Sequence, residues 1–173
     1  EANAGALAAG AGAALIAFGI KAVAAFENTA KAAVDMAKAT GLSIEQASRW
    51  IAVGDDFGVS AESLTTALAR IGKNLDSTAF DKYGISATTT NGALLEVLDT
   101  INNTAPLERA AVGQELLGKG YKSLAPLLGK TRAEYEQMLS SVEDGQVITA
   151  SEAKKAERMR LAQDALADAL NEV

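Results

Sequence analysis

The stretch from Gly113 to Lys119 offers the first candidate chemistry, because it matches the first seven positions of a phosphate-binding loop. In such a loop, backbone N–H groups hold the phosphates and a following Ser or Thr binds magnesium. Gly120 stands at the position of that hydroxyl residue. The stretch also follows a predicted helix instead of a strand, so its N–H groups would not form a cradle. We therefore interpret it as a helix stop.

Carboxylates offer the second candidate chemistry. Asp55 and Asp56 are adjacent, but the alternating oxygen ligands and distal Glu of a calcium loop are missing, so we interpret the pair as a solvated helix end. Glycoside hydrolysis needs two facing carboxylates, and helical spacing does not show that any two face each other. Four glutamates lie at predicted helix starts, where a carboxylate stabilises the helix without catalysis: Glu45, Glu62, Glu134 and Glu152.

Composition narrows the functional classes further. The 173 residues include no Cys and no His, which excludes thiol nucleophiles, disulfides, the usual zinc sites and the commonest general base. A net charge of −6 gives little support for a nucleic-acid surface built on phosphate neutralisation, and we predict no specific nucleic acid as a partner. With 49% apolar residues, the chain has enough material for a compact core. We predict a protein that is not an enzyme and that has no cofactor or metal.

The first forty residues form a region of their own. No charge occurs from Ala2 to Ile20, where Ala and Gly dominate. Small and apolar residues then recur at alternating steps of three and four, while the charged residues fall off this seam. We predict a long helix over 1–40 that associates with itself. The seam consists of Ile16, Gly19, Val23, Phe26, Ala30, Ala33 and Ala37.

Two other interpretations of this region stay open. About 20 apolar residues are enough to span a bilayer, and Ala6/Gly10 has the spacing of close helix contacts in membranes. A plain core helix is the third and least favoured interpretation.

From residue 41 to 145 the sequence is punctuated like a compact helical domain. Capping boxes begin at Ser43 and Thr131, and a third at Thr149 opens the C-terminal region. Gly58 is predicted to end the first of these helices in a left-handed conformation. Two apolar runs flank the turn at Gly118 to Gly120, and Pro126 keeps the second helix short.

Helical spacing predicts which side chains face the core. The predicted faces are Ala47, Trp50, Ile51 and Gly54; then Leu64, Ala67, Leu68, Ile71 and Leu75; then Leu94, Leu95, Val97, Leu98 and Ile101. Pro106 is expected at the first position of a further helix, with Leu107, Ala110, Ala111 and Gln114 along one side. Two more faces are Tyr135, Met138, Leu139 and Val142, and Met159, Ala162, Leu166 and Leu170.

The expected fold is all-α: a long Ala/Gly-rich N-terminal helix followed by a compact multi-helix domain, with Tyr83 to Asn91 as a loop. Residues 146–173 are predicted to form a C-terminal amphipathic helix that continues into a longer chain. The start at Glu1 and the missing stop signal after Leu161 fit such a fragment.

The order of these motifs resembles the tape measure protein of long-tailed bacteriophages. The resemblance covers roughly two thirds of the chain. It depends on the order in which the segments follow one another, since each motif alone is ordinary capping chemistry. One departure is Leu117, where relatives often have Phe. The segments are Ala39 to Ser43, Gly54 to Ser60, Leu64 to Leu75, Tyr83 to Ile85, Leu94 to Ile101 and Leu116 to Leu128.

The resemblance implies a mostly helical structural protein that sets tail length, occupies the tail tube as parallel copies and leaves ahead of the DNA. Its implied partners are further copies of itself, tail tube and tail tip proteins, tail assembly chaperones and the host membrane at ejection. Its implied location is the virion, after assembly in the host cytoplasm. The alternatives are a membrane-active insertion or pore module and a helical adaptor protein.

Overall fold

The computed structural model describes residues 23–171, and within this range every regular element is helical. The all-α prediction is confirmed, whereas the Ala/Gly-rich start of the predicted N-terminal helix lies outside the described residues. The helices are α1 (residues 23–40), α2 (Ile44–Asp56), α3 (Ala61–Lys73), α4 (Thr78–Lys82), α5 (Thr90–Asn103), α6 (Arg109–Leu117), α7 (Tyr121–Leu124), α8 (Arg132–Ser141) and α9 (Ala150–Asn171). Short 3₁₀ segments cover Gly118–Gly120, Ala125–Leu127 and Asp144–Gln146.

The chain divides into two compact units. One unit combines Glu1–Lys31 with Ser151–Val173, and the other extends from Ala32 to Ala150. In the first unit, the amide of Gln163 on α9 donates to Glu27 on α1 over 3.2 Å. The second unit contains α2 to α8 and all the motifs between residues 41 and 145.

Local side-chain chemistry fixes where several helices begin. The Ser43 hydroxyl accepts a hydrogen bond from the Gln46 N–H at 3.1 Å, and the Gln46 side chain accepts one from the Ser43 N–H at 3.2 Å. Thr131 and Glu134 form the same reciprocal box at the start of α8. Each box satisfies backbone donors that the first helical turn leaves unpaired. Both predicted boxes are confirmed, and α9 begins at Ala150, as the third box predicts.

The core of the second unit lies among α2, α3 and α5. Trp50 is fully buried, its indole N–H donates to the Asn91 side chain over 2.7 Å, and its ring centroid is 6.3 Å from that of Tyr135. This burial agrees with most of the predicted faces, although Ile51 is only half-buried and Leu75 lies beyond the end of α3. Other large buried side chains are Leu64, Leu68, Ile71, Leu94, Leu98 and Ile101.

Two local predictions differ from the structure. Pro106 lies in a turn, and α6 begins only at Arg109. The predicted side of this helix faces solvent, since Leu107 is 98% exposed and Ala110, Ala111 and Gln114 are also exposed. The buried side carries the larger residues Val112, Leu116 and Leu117, together with Gly113. Burying these branched side chains removes more apolar surface from water than burying two alanines and a glutamine.

The segment between α3 and α5 contains a helix that the spacing did not reveal. Ser77 caps α4, whose five residues include the buried Phe80. The loop after it ends earlier than predicted, because Thr89 accepts a hydrogen bond from the Gly92 N–H and α5 begins at Thr90. A helix of this length is too short to show a 3.6-residue period in sequence.

Candidate functional site

The Gly-Lys-Gly turn joins α6 to α7. The helix α6 ends at Leu117, Gly118–Gly120 form a 3₁₀ turn, and α7 has four residues before the 3₁₀ segment that contains Pro126. The predicted helix stop and short second helix are therefore confirmed. Gly118 has φ +60°, a conformation that costs little only for glycine.

Arg70 on α3 supports this turn from the side. Its Nε atom donates to the Leu116 carbonyl and its Nη2 atom to the Glu115 carbonyl, both over 3.4 Å. These carbonyls lie in the last turn of α6, where they have no partner within the helix. A Cβ atom at Gly118 would lie only 3.0 Å from the Arg70 guanidinium carbon. The guanidinium group therefore occupies the space that the missing side chain leaves.

Gly113, inside α6, has a packing function next to this turn. A Cβ atom at this position would lie 2.2 Å from two ring carbons of Tyr121, closer than real side chains approach. The glycine therefore lets the tyrosine ring of α7 lie directly on the backbone of α6. This explains a glycine in the middle of a helix, where it costs about 1 kcal/mol relative to alanine.

A charged cluster ties α4 to α6 on the surface. The Lys82 ammonium donates to both carboxylate oxygens of Glu115 at 2.9 Å, and the Tyr83 hydroxyl donates to one of them at 2.6 Å. The hydroxyl of Tyr83 and then the ammonium of Lys82 lower the pKa of the Glu115 carboxyl. The Glu115 carboxylate and the Tyr83 side chain in turn raise the pKa of Lys82. The cluster holds two surface helices together and keeps both charges.

The geometry does not provide a phosphate cradle at the loop-like stretch. Gly113 to Leu117 lie inside α6, and the Gly118 N–H is bonded to the Gln114 carbonyl. The N–H groups that would have to point at a phosphate thus belong to a helix. An open depression beside the turn is lined by Gln114, Gly118, Lys119 and Lys122, all of them on the surface or partly exposed.

The other candidate chemistry is not assembled in the structure either. Asp55 and Asp56 are exposed at the end of α2, as a solvated helix end would be. Within residues 23–171, no three acidic side chains approach closely enough to hold a metal ion.

The predicted seam is only partly described. Ile16 and Gly19 lie outside the described residues. Among the others, Ala30 and Ala33 are fully buried by the chain itself, whereas Val23, Phe26 and Ala37 are half-buried. Self-association through this seam stays a prediction, and two of its five described residues are buried within the chain.

Sequence reasoning missed two residues on the buried side of α1. Met36 is fully buried, and Thr40 donates its hydroxyl to the Met36 carbonyl over 2.6 Å. The Thr40 carbonyl accepts a hydrogen bond from the Thr90 hydroxyl at 2.7 Å, which joins α1 to α5. The three-residue step from Ala33 to Met36 was the available signal.

The predicted apolar face of α9 is largely open to solvent. Ala153 and Ala156 are buried, but Met159 is 39% exposed, Leu166 62% and Leu170 69%, and Ala162 is also exposed. No helix within residues 23–171 combines the length and the hydropathy that crossing a membrane requires.

Comparison with known proteins adds no relative, because no family model, no curated protein and no solved structure matches this chain. The candidate function therefore depends on the ordered sequence motifs and on the geometry of the turns that they form.

Proposed function

We propose that this chain is a structural segment of the tail tape measure protein of a long-tailed bacteriophage. The observation that carries the proposal is the resemblance in the order of its motifs. Four glycines within these motifs, Gly41, Gly58, Gly84 and Gly118, adopt positive φ values between 60° and 74° and follow helices. The motifs that contain these glycines are thus the places where the chain ends one helix and turns toward the next, as expected for motifs that specify a fold and not a reaction.

The polar groups of the chain also support a structural function. The carboxylate of Glu115 is bonded to Lys82 and Tyr83, and the guanidinium group of Arg70 binds helix-end carbonyls. The groups are thus used in closing helices and holding them together. The net charge of −6 suits a protein that passes along a tube with DNA, because such a protein must not bind phosphates tightly.

In the proposed function, parallel copies of the chain extend along the tail tube, contact tail tube and tail tip proteins, and are loaded with tail assembly chaperones. The length of the whole protein then sets the length of the tail, and the copies leave ahead of the DNA at ejection. The exposed face of α9 is the candidate contact with other copies or tail proteins.

Tail length in a parent phage tests the proposal directly. Two heptads inserted after Ala24, in the described part of α1, add about 21 Å to a continuous helix, and we expect each tail to lengthen by close to that amount. The matched control inserts the same residues between Leu107 and Glu108, in the exposed turn before α6, where tail length should not change. Unchanged tails with both insertions would remove the ruler function from this segment, and a protein absent from the virion would refute the proposal.

A second candidate function is membrane insertion, which the charge-free stretch from Ala2 to Ile20 favours. Replacing Leu15 and Ile16 by Lys tests it and leaves the sequence of the unit Ala32–Ala150 unchanged. Leakage of lipid vesicles that the wild-type chain causes and the doubly substituted chain does not would support insertion. Equal leakage from both chains, or none from either, would exclude it for this segment.

A further inference from the structure

The segment from Val142 to Ala150, which we call the strap, connects α8 to α9 and lies on α2. It contains one 3₁₀ turn, and Glu143 to Gln146 are exposed. Val147 and Ile148 are its buried apolar residues, at 5% and 6% exposure. Its buried apolar anchor is thus these two side chains, while the four residues before them face water.

Arg49 on α2 makes three polar contacts with this region. Its Nη1 atom donates to the Leu139 carbonyl at 2.9 Å and to the Val142 carbonyl at 2.8 Å, and Nη2 pairs with Asp144 at 3.2 Å. One guanidinium group thus binds two carbonyls at the end of α8 and a side chain in the strap. Because hydrogen bonds from charged donors are stronger than neutral ones, Arg49 is a strong polar contact of this region, beside the buried Val147 and Ile148.

Two neighbours of Arg49 bind the second half of the strap. The Ser48 hydroxyl accepts a hydrogen bond from the Ile148 N–H at 2.9 Å and lies 3.5 Å from the Gln146 carbonyl, to which it donates. The carboxylate of Glu45 accepts the Ala150 N–H at 3.1 Å. Residues 45, 48 and 49 are three and four apart along α2 and so lie on one face of it.

We propose that the strap is a releasable latch, which opens as a unit while α2, α3 and α5 stay folded, and that Arg49 is its positioning residue. Segments with few buried apolar contacts and exposed backbone open at a lower free energy than the core. The elements beneath the strap are instead held by large buried side chains such as Trp50 and Leu64. Opening the latch frees the Ala150 N–H, at the start of α9, from Glu45.

The latch itself does not depend on the proposed function. If the chain acts in a tail tube, however, release would let the segment after α8 extend while α2, α3 and α5 stay folded. A polar latch suits such a change, because water replaces its hydrogen bonds when it opens.

Native-state hydrogen exchange of the full chain in low concentrations of urea tests the latch. The reporters are the N–H groups of Ile148 and Ala150, which donate to α2, with Ile71 and Leu98 as core references. We expect the strap pair to exchange faster, and with a smaller dependence on urea, than the core pair. Equal rates and equal urea dependence would mean that the strap opens only on global unfolding, which would overturn the proposal.

The variant Arg49→Met tests the positioning residue, and Arg70→Met is its matched control because Arg70 binds the end carbonyls of α6 in the same way. For Arg49→Met we expect exchange at Ile148 and Ala150 to rise by about tenfold or more, with the core references unchanged. For Arg70→Met we expect no change in the strap. Equal acceleration of strap and core by Arg49→Met would refute the assignment. Should this variant not fold, the urea series on the wild-type chain still decides whether the latch exists.

Discussion

Replacing Gly113 by Ala tests the packing of the turn between α6 and α7. In an open helix position this change stabilises a protein by about 1 kcal/mol, because alanine has the higher helix propensity. At Gly113, however, the added Cβ would lie 2.2 Å from the ring of Tyr121. Either the ring or the helix must therefore move.

Overpacking of this kind costs about 1–3 kcal/mol, so we expect the net effect of Gly113→Ala to be a loss of up to about 2 kcal/mol. The sign depends on the ring. In a Tyr121→Ala background the added methyl group meets no aromatic carbon, and the same substitution should stabilise the fold by about 0.5–1 kcal/mol. The double-mutant cycle thus predicts a coupling energy of about 1–3 kcal/mol between the two positions.

Urea unfolding followed by the fluorescence of Trp50 measures these free energies, since Trp50 is the single tryptophan and is fully buried. The four chains of the cycle should share one m-value, so that differences in midpoint report stability. A stabilising Gly113→Ala in the wild-type background would refute the packing argument. Equal effects in both backgrounds would refute the contact with Tyr121.

Three further predictions concern single groups. The hydroxyl of Tyr135 is buried without a hydrogen-bond partner, and burial raises its pKa to about 12. Tyr135→Phe should therefore raise the free energy of unfolding by up to about 1 kcal/mol. Because the unfolded tyrosine ionises above about pH 10 and the folded one does not, the wild type should lose stability there and the variant should not; urea unfolding at pH 7 and pH 11 checks both. The pKa of Glu115 is lowered in the fold, so its contribution is present above the ordinary value of 4.5 and is lost as the pH falls through the folded pKa; the difference in urea midpoint between wild type and Glu115→Gln should shrink from pH 7 to pH 3. Gly118→Ala should lower the free energy of unfolding by about 1–2 kcal/mol, because φ is positive there and the Arg70 guanidinium lies 3.0 Å from the added Cβ. The control Gly145→Ala has open space around the added Cβ and should change that free energy by less than about 0.5 kcal/mol. Thermal melts of both variants check this.

Helix starts were predictable because their chemistry is local. Ser43 and Gln46 are three residues apart and bond to each other's backbone, so the sequence alone contains the whole interaction. The same holds for Gly58, whose positive φ ends a turn that its neighbours define. The confirmed helix starts and ends depend on contacts between residues only a few positions apart.

The two arginines that hold the Gly-Lys-Gly turn and the strap were not predictable in the same way. Arg70 contacts the carbonyl of Leu116, 46 positions along the chain, and Arg49 contacts that of Val142, 93 positions along. Neither arginine belongs to a motif, because a guanidinium group can bind any helix end that the fold brings to it. The buried side of α6 was missed for a related reason: two faces of that helix carry apolar residues, and only the packing decides between them.

The glutamates at helix starts bear most directly on whether this fold could support acid–base chemistry. The Glu45 carboxylate accepts hydrogen bonds from the backbone N–H of Glu45 itself and from that of Ala150, and these bonds lower its pKa. The Glu134 carboxylate accepts hydrogen bonds from the backbone N–H and the hydroxyl of Thr131, which lower its pKa as well. A general acid needs a pKa close to the working pH, which enzymes reach by burying a carboxyl away from such donors. Raising either pKa would mean removing the hydrogen bonds that start α8 or hold the strap on α2. The carboxylate oxygens of these two residues therefore serve as hydrogen-bond acceptors for backbone N–H groups, which is the opposite of the environment that a general acid needs.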